Sequence, residues 1–172
     1  IYNYARTPAQ VAYDYNKGVP FIWLKFDECH GLSAFDSSGS GYTGAINIGP
    51  SGSQNTAGTC QIGTSAAWTN GASGKINSSL NFDGTDDYVR FPNTAIGLTK
   101  PFTMSSWFKT STSFAYQPGI IALGYYPVVV MKTDGKIRAW WYNGVTYPGV
   151  ESIKAYNDGL FHHATLTYDG TT

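Results

Sequence analysis

The chain has 172 residues and a formal net charge of zero, and its 13% of charged residues is about half the usual globular share. Aromatics reach 16% and glycines number 20, a composition of tight turns and flat side chains rather than of helices. Zero net charge excludes the electrostatic footprint of a nucleic-acid or anionic-membrane binder, and no apolar run reaches membrane-spanning length.

The length suits one domain with its own core. Cys29 and Cys60 fit either one disulfide or two buried thiols, and the extracellular look of the surrounding composition predicts the disulfide. Zinc is not expected, because these cysteines and the scattered histidines lack metal-ligand spacing.

In chain order, Ile1, Tyr2, Asn3 and Tyr4 read as a strand. Thr7 follows as an N-cap, with Pro8 at the first helical position and Gln10 as its capping partner, which predicts one short helix ended by Gly18. Residues 19–26 are apolar on both faces and predict a strand covered on both sides. A Gly/Ser turn over 36–44 precedes a short strand at 45–48. Residues 49–77 read as an extended surface loop anchored by Trp68.

The stretch 79–91 alternates apolar and polar residues on both sides of Asp83-Gly84, a strong hairpin signal. In the next run Phe102, Met104 and Ser106 share one face, and Thr103, Ser105 and Trp107 the other. Strands follow at 119–124, 128–132, 136–142 and 161–168, with an Asp-Gly turn at Asp134-Gly135 and an Asn-Gly turn at Asn143-Gly144. No segment after residue 18 has a helical period, so the expected class is all-β, a sandwich or jelly roll.

The motifs SLNFDGTDDYVRFP, PFTMSSWFKT and LFHHATLTYDGTT, in that order, closely resemble the laminin-G-like domains of the concanavalin A-like lectin/glucanase superfamily. Phe161 stands where that family places a tryptophan ahead of His162-His163. The resemblance covers residues 19–172 and implies an antiparallel jelly-roll β-sandwich. Residues 1–18, with their short helix, resemble the strand and helix that close such a domain, here placed first. The chain therefore resembles a frame cut across a tandem array, with 1–18 ending one repeat and 19–172 forming a sandwich that lacks its last strands. Two other arrangements stay open: a subunit whose strand Ile1–Tyr4 completes a neighbour's sheet, and a permuted domain.

Glucanases of the superfamily carry a Glu-x-Asp-x-x-Glu strand, and glycosidases need two carboxylates set across the scissile bond. The glutamates here, Glu28 and Glu151, form no such motif, so no enzyme is expected. His162 and His163 point to opposite faces of a strand and lack a nucleophile motif. Asp83, Asp86 and Asp87, with Asp27 at a strand end, offer hard oxygen donors for a structural calcium, although aspartates also populate turns by bonding nearby amides. Flat rings beside Asn and Asp acceptors suit sugars, and Trp141, Tyr126, Tyr142 and Tyr147 are the candidates, whereas Trp23 and Trp107 read as core.

The expected function is a non-catalytic extracellular or cell-surface binding and adhesion module, with carbohydrate as the favoured ligand. The alternative is a structural subunit of a surface fibre that donates its N-terminal strand to the next unit. Expected partners are a glycan or a cell-surface or matrix protein and neighbouring repeats, with no nucleic acid and no membrane insertion.

Overall fold

The computed structural model describes Ala5, Thr7 and residues 20–61, 66–68, 74–91, 101–124 and 127–169. Ile1, Tyr2, Asn3 and Tyr4, the expected helix from Pro8, and Tyr126 lie outside the described residues. The regular elements described are all strands. Contacts divide the chain into two compact units, Ile1–Pro92 and Asn93–Thr172.

In the first unit, β1 (Ser33–Ala34), β2 (Gly44–Asn47) and β3 (Tyr88–Arg90) form an antiparallel sheet in that order. The pairings Ala34↔Gly44 and Ile46↔Val89 set the register. A Cβ at Gly44 would lie 2.8 Å from Val89 Cγ1 and 3.1 Å from Leu24 Cδ1, so only glycine lets these strands close over the core. That core is Ala34, Ile46, Ala57 and Trp68, with Leu24, Phe26, Leu80 and Val89 packed around it.

Trp68 is fully buried and its Nε1–H donates to the Gly31 carbonyl at 2.9 Å, so it anchors the long loop as the sequence predicts. Cys29 and Cys60 form a disulfide across a separation of 31 residues. Closing a loop of that size stabilises the folded chain by about 3–4 kcal/mol in the chain-entropy picture.

Two expectations fail in this unit. Residues 20–26 make one isolated bridge, Leu24↔Asp36, instead of a strand, and Phe21 and Trp23 are 49% and 45% exposed. The Asp36 carboxylate takes the Trp23 N–H at 2.9 Å where a neighbouring strand would, and Phe26 at φ 60° breaks the extended chain. The expected Asp-Gly hairpin is also absent: β3 pairs with β2, and Leu80 bridges Trp68. Gly84 still turns the chain at φ 83°, but the aspartates around it bond to a different loop, described below.

The second unit follows its sequence pattern closely, except at Gly149–Ala155, a strand that the sequence pattern does not predict. β4 (Phe102–Lys109) and β9 (Phe161–Tyr168) pair antiparallel along their whole length, from Phe102↔Tyr168 to Lys109↔Phe161. β5 (Gly119–Ala122), β6 (Val128–Met131), β7 (Lys136–Trp140) and β8 (Gly149–Ala155) form a four-stranded antiparallel sheet in sequence order. Met104, Leu123, Val129, Val130, Met131, Ala139 and Leu166 are its buried apolar residues.

Lys132 N donates to the Lys136 carbonyl at 2.8 Å across the expected Asp-Gly turn, and Gly135 supplies φ 78°. Lys132 Nζ meets Glu151 at 2.9 Å and Asp134 at 3.3 Å, tying that turn to β8. Where the β7–β8 register shifts, Ile137 N donates to Ser152 Oγ at 3.0 Å, so a side chain fills a gap in the ladder. Trp107 corrects the expectation of a core residue: it is 46% exposed, on the face of β4 that carries Thr103, Ser105 and Lys109.

Candidate functional site

β7 enters β8 through residues 141–148. Asn143 Oδ1 accepts from Val145 N at 3.1 Å and Thr146 N at 2.9 Å, while Asn143 N donates to the Thr146 carbonyl at 3.2 Å. Gly144 sits at φ 95°, which few L-residues adopt. Trp141 N closes the base of this loop onto the Pro148 carbonyl at 3.2 Å.

The result sets Tyr142 against Tyr147, with ring centroids 4.9 Å apart and planes 35° from parallel. Both rings are about half exposed, and Tyr142 Oη donates to the Gly144 carbonyl at 2.8 Å. An anchored aromatic pair of this kind offers apolar area at little entropic cost. Of the sugar candidates, the structure thus brings Tyr142 and Tyr147 together. Trp141 turns instead towards Tyr168, centroids 5.6 Å apart, with a buried Nε1 that meets no acceptor among the described residues.

The aspartates around Gly84 clasp the loop 49–54. Gly49 N donates to Asp87 Oδ1 at 3.0 Å, Ser51 N to Asp86 Oδ2 at 3.1 Å, and Ser53 N and Gln54 N to Asp83 Oδ2 at 2.7 and 3.0 Å. A Cβ at Gly49 would fall on the Asp86 carboxylate and one at Gly52 on that of Asp83, so the glycines admit the acids. The Gln54 amide, followed by those of Thr85 and Ser53, holds the Asp83 carboxyl below its ordinary value against a smaller opposing effect of desolvation.

One oxygen from each of Asp83, Asp86 and Asp87 can lie within 4.8 Å of the others, and Asp86 Oδ1 is buried with no partner among the described residues. This donor set fits a hard cation such as calcium. Asp27 does not fall within this group, and its Oδ2 accepts from Asn77 Nδ2 at 3.1 Å.

In the second unit a cavity of about 370 Å³ opens between the β4–β9 pair and the four-stranded sheet, lined by Phe108, Val129, Ala139, Val150, Tyr156 and His162 among others. His162 Nε2 lies 2.9 Å from Asp158 Oδ1 and meets the edge of Tyr156, while His163 lies on the opposite, exposed face beside Trp107. Bonding to His162 is the main reason the Asp158 carboxyl lies below its ordinary value. The expectation of one packed and one solvated histidine therefore holds.

Trp23 and Trp107, both expected in the core, are 45% and 46% exposed. The signal for Trp107 is its parity with Thr103, Ser105 and Lys109, a polar face.

Residues 83–172, more than half of the chain, match a laminin G family model of the concanavalin A-like lectin/glucanases superfamily. No curated protein and no solved structure matches the chain. Laminin G-like domains are generally non-catalytic binding modules, and the all-β ladders of the matched residues agree with such a fold. The chain belongs to the laminin G-like family of the concanavalin A-like lectin/glucanase superfamily.

Proposed function

We propose that the chain is a non-catalytic, extracellular carbohydrate-binding and adhesion module built as a jelly-roll sandwich. The observation that carries this reading is the exposed Tyr142–Tyr147 pair, fixed by the Asn143 and Gly144 bonds at the tip of the β7–β8 hairpin. One ring face stacks on the apolar face of a sugar, and the Tyr147 hydroxyl and loop carbonyls serve its polar edge. The Cys29–Cys60 disulfide is consistent with an oxidising, extracellular compartment.

A glycan array probed with the intact chain and with the Tyr142→Ala/Tyr147→Ala double variant tests it. Sugar binding lost in the variant, with an unchanged melting temperature, supports the reading. Binding that survives, or no binding by the parent, sinks it.

The Asp83, Asp86 and Asp87 oxygens are proposed to hold a structural calcium, with the unpartnered Asp86 Oδ1 as the group that gains most. Calcium at a hundredfold excess over its Kd would stabilise the fold by about 2.7 kcal/mol. A melting temperature indifferent to added calcium and to chelator would remove the ion from the account.

β8 favours a second reading, the fibre subunit. It is an edge strand among the described residues, and its Val150 and Ile153 are 56% and 92% exposed. An extended segment such as Ile1–Tyr4 of another copy is proposed to add there. A chain lacking residues 1–18 would then stay monomeric while the full chain associates. Identical sedimentation of the two refutes strand donation.

A further inference from the structure

The turn that leads from Gly74 to Leu80 is tied to the core of the first unit. Ser78 is buried and its hydroxyl donates to the Phe26 carbonyl at 2.6 Å, and Leu80 bridges Trp68. One position before Ser78, Asn77 is exposed at φ 53°, in the left-handed region that asparagine enters more readily than most side chains. Its Nδ2 carries two hydrogens and gives one to Asp27 Oδ2 at 3.1 Å. Ser79 follows two positions on, so Asn77-Ser78-Ser79 has the Asn-x-Ser/Thr spacing of an N-glycosylation acceptor. No other asparagine of the chain has Ser or Thr at that spacing.

The left-handed turn alone accounts for an asparagine at 77, but it does not call for a hydroxyl at 79. The fold also suits a modified Asn77. The buried hydroxyl of the tripeptide is that of Ser78, which the modification leaves untouched. An amide that carries a sugar on Nδ2 keeps one N–H, enough for the bond to Asp27. Ile76, the preceding residue, is 69% exposed, an apolar surface that a bulky polar chain would cover.

We propose that Asn77 is an N-glycosylation site. This inference rests on the extracellular reading above, with which the Cys29–Cys60 disulfide is consistent. The donor is an oligosaccharide carried on a polyprenyl pyrophosphate. Asn77 Nδ2 attacks its anomeric carbon, so that an N–C bond forms and the C–O bond to the pyrophosphate breaks. The polyprenyl pyrophosphate leaves, Nδ2 gives up one proton, and nothing is oxidised or reduced. Exposure at Asn77 lets the product fold without placing the sugar in the core.

The test is secretion of the full chain from an animal cell, with its mass and gel mobility read before and after treatment with peptide N-glycosidase. The expected result is a secreted chain that loses one oligosaccharide on treatment and then carries aspartate at position 77. Ser79→Ala should lose that mass entirely, while Ser79→Thr, which restores a hydroxyl, should keep it. Asn77→Asp retains a residue tolerant of the left-handed turn and reads the same loss if Ser79→Ala does not fold. A secreted, disulfide-bonded chain with an unmodified Asn77 overturns the proposal and leaves the extracellular reading standing, and so does a sugar that persists in Ser79→Ala or Asn77→Asp. An unmodified Asn77 together with free thiols at Cys29 and Cys60 overturns both.

Discussion

The two units of this chain are held together by different means. In the second, eight-residue strands β4 and β9 pair position for position, and β5 to β8 follow one another as successive neighbours. Backbone ladders and a period-two apolar face carry it. In the first, the sheet is three strands of two to four residues, and side chains bonded to distant backbone do much of the holding.

Asp36 alone accepts from the amides of Trp23, Ser38 and Tyr42, and the Asp83–Asp87 stretch accepts from a loop about 30 residues away. Add Trp68 and the disulfide, and a stretch rich in Gly, Ser and Thr becomes ordered without long strands. A β unit can replace strand length by point attachments, but each attachment then carries more of the stability.

Single substitutions in the first unit should therefore cost more than single changes in the β4–β9 ladder. The largest expected effect is Trp68→Ala, which empties the centre of the first core and costs about 3–5 kcal/mol, measured by chemical denaturation. If the loss is below about 1 kcal/mol, the indole is not the anchor its burial indicates. Next comes the double change Cys29→Ala/Cys60→Ala, expected to cost about 3–4 kcal/mol through the freed unfolded chain. A much smaller loss would show that the other attachments already restrain that loop.

Why one unit was legible and the other was not follows from the same contrast. Alternation at period two marks β4, β7 and β9 in the sequence, because a ladder repeats its in-and-out pattern at every residue pair. The turns at Asp134-Gly135 and Asn143-Gly144 were equally readable, since positive φ selects those residues. A carboxylate that reaches 30 residues away leaves no periodic trace, so Asp83-Gly84 looked like a hairpin and residues 19–26 like a strand. Phe26 and Cys29, at φ 60° and 58°, are left-handed residues that no local preference foretells.

Site residues divide the same way. The pairing of Tyr142 with Tyr147 follows from a hairpin around Asn143-Gly144, and the grouping of Asp83, Asp86 and Asp87 from adjacency. Trp107 is exposed because strand parity groups it with Thr103, Ser105 and Lys109.

Acid should loosen the attachments of the first unit. Partial desolvation alone would raise the Asp36 carboxyl, but bonds from Trp23, Ser38 and Tyr42 outweigh it and bring the group from 3.8 down to about 2. A carboxyl held lower when folded stabilises the native state above its unfolded value and loses that contribution as pH falls. The window runs from about pH 4 down to about pH 2. Asp36→Asn should flatten this part of the stability–pH curve and cost on the order of 2 kcal/mol at neutral pH. An unchanged acid limb in that variant would transfer the sensitivity to Asp83, whose carboxyl is also held below its ordinary value.

The smallest effect belongs to the ladder. Thr103 and Thr167 face each other on the outer side of β4 and β9, hydroxyl to hydroxyl at 3.2 Å, both exposed. Exposed cross-strand pairs contribute roughly 0.2–1 kcal/mol, because water competes for the same bond. A double-mutant cycle with Thr103→Ala and Thr167→Ala should return a coupling inside that range. The backbone bonds of the same rung survive both changes, which is why a ladder tolerates what the point attachments of the first unit do not. A coupling well above that range would mean the outer face is more than a wet surface.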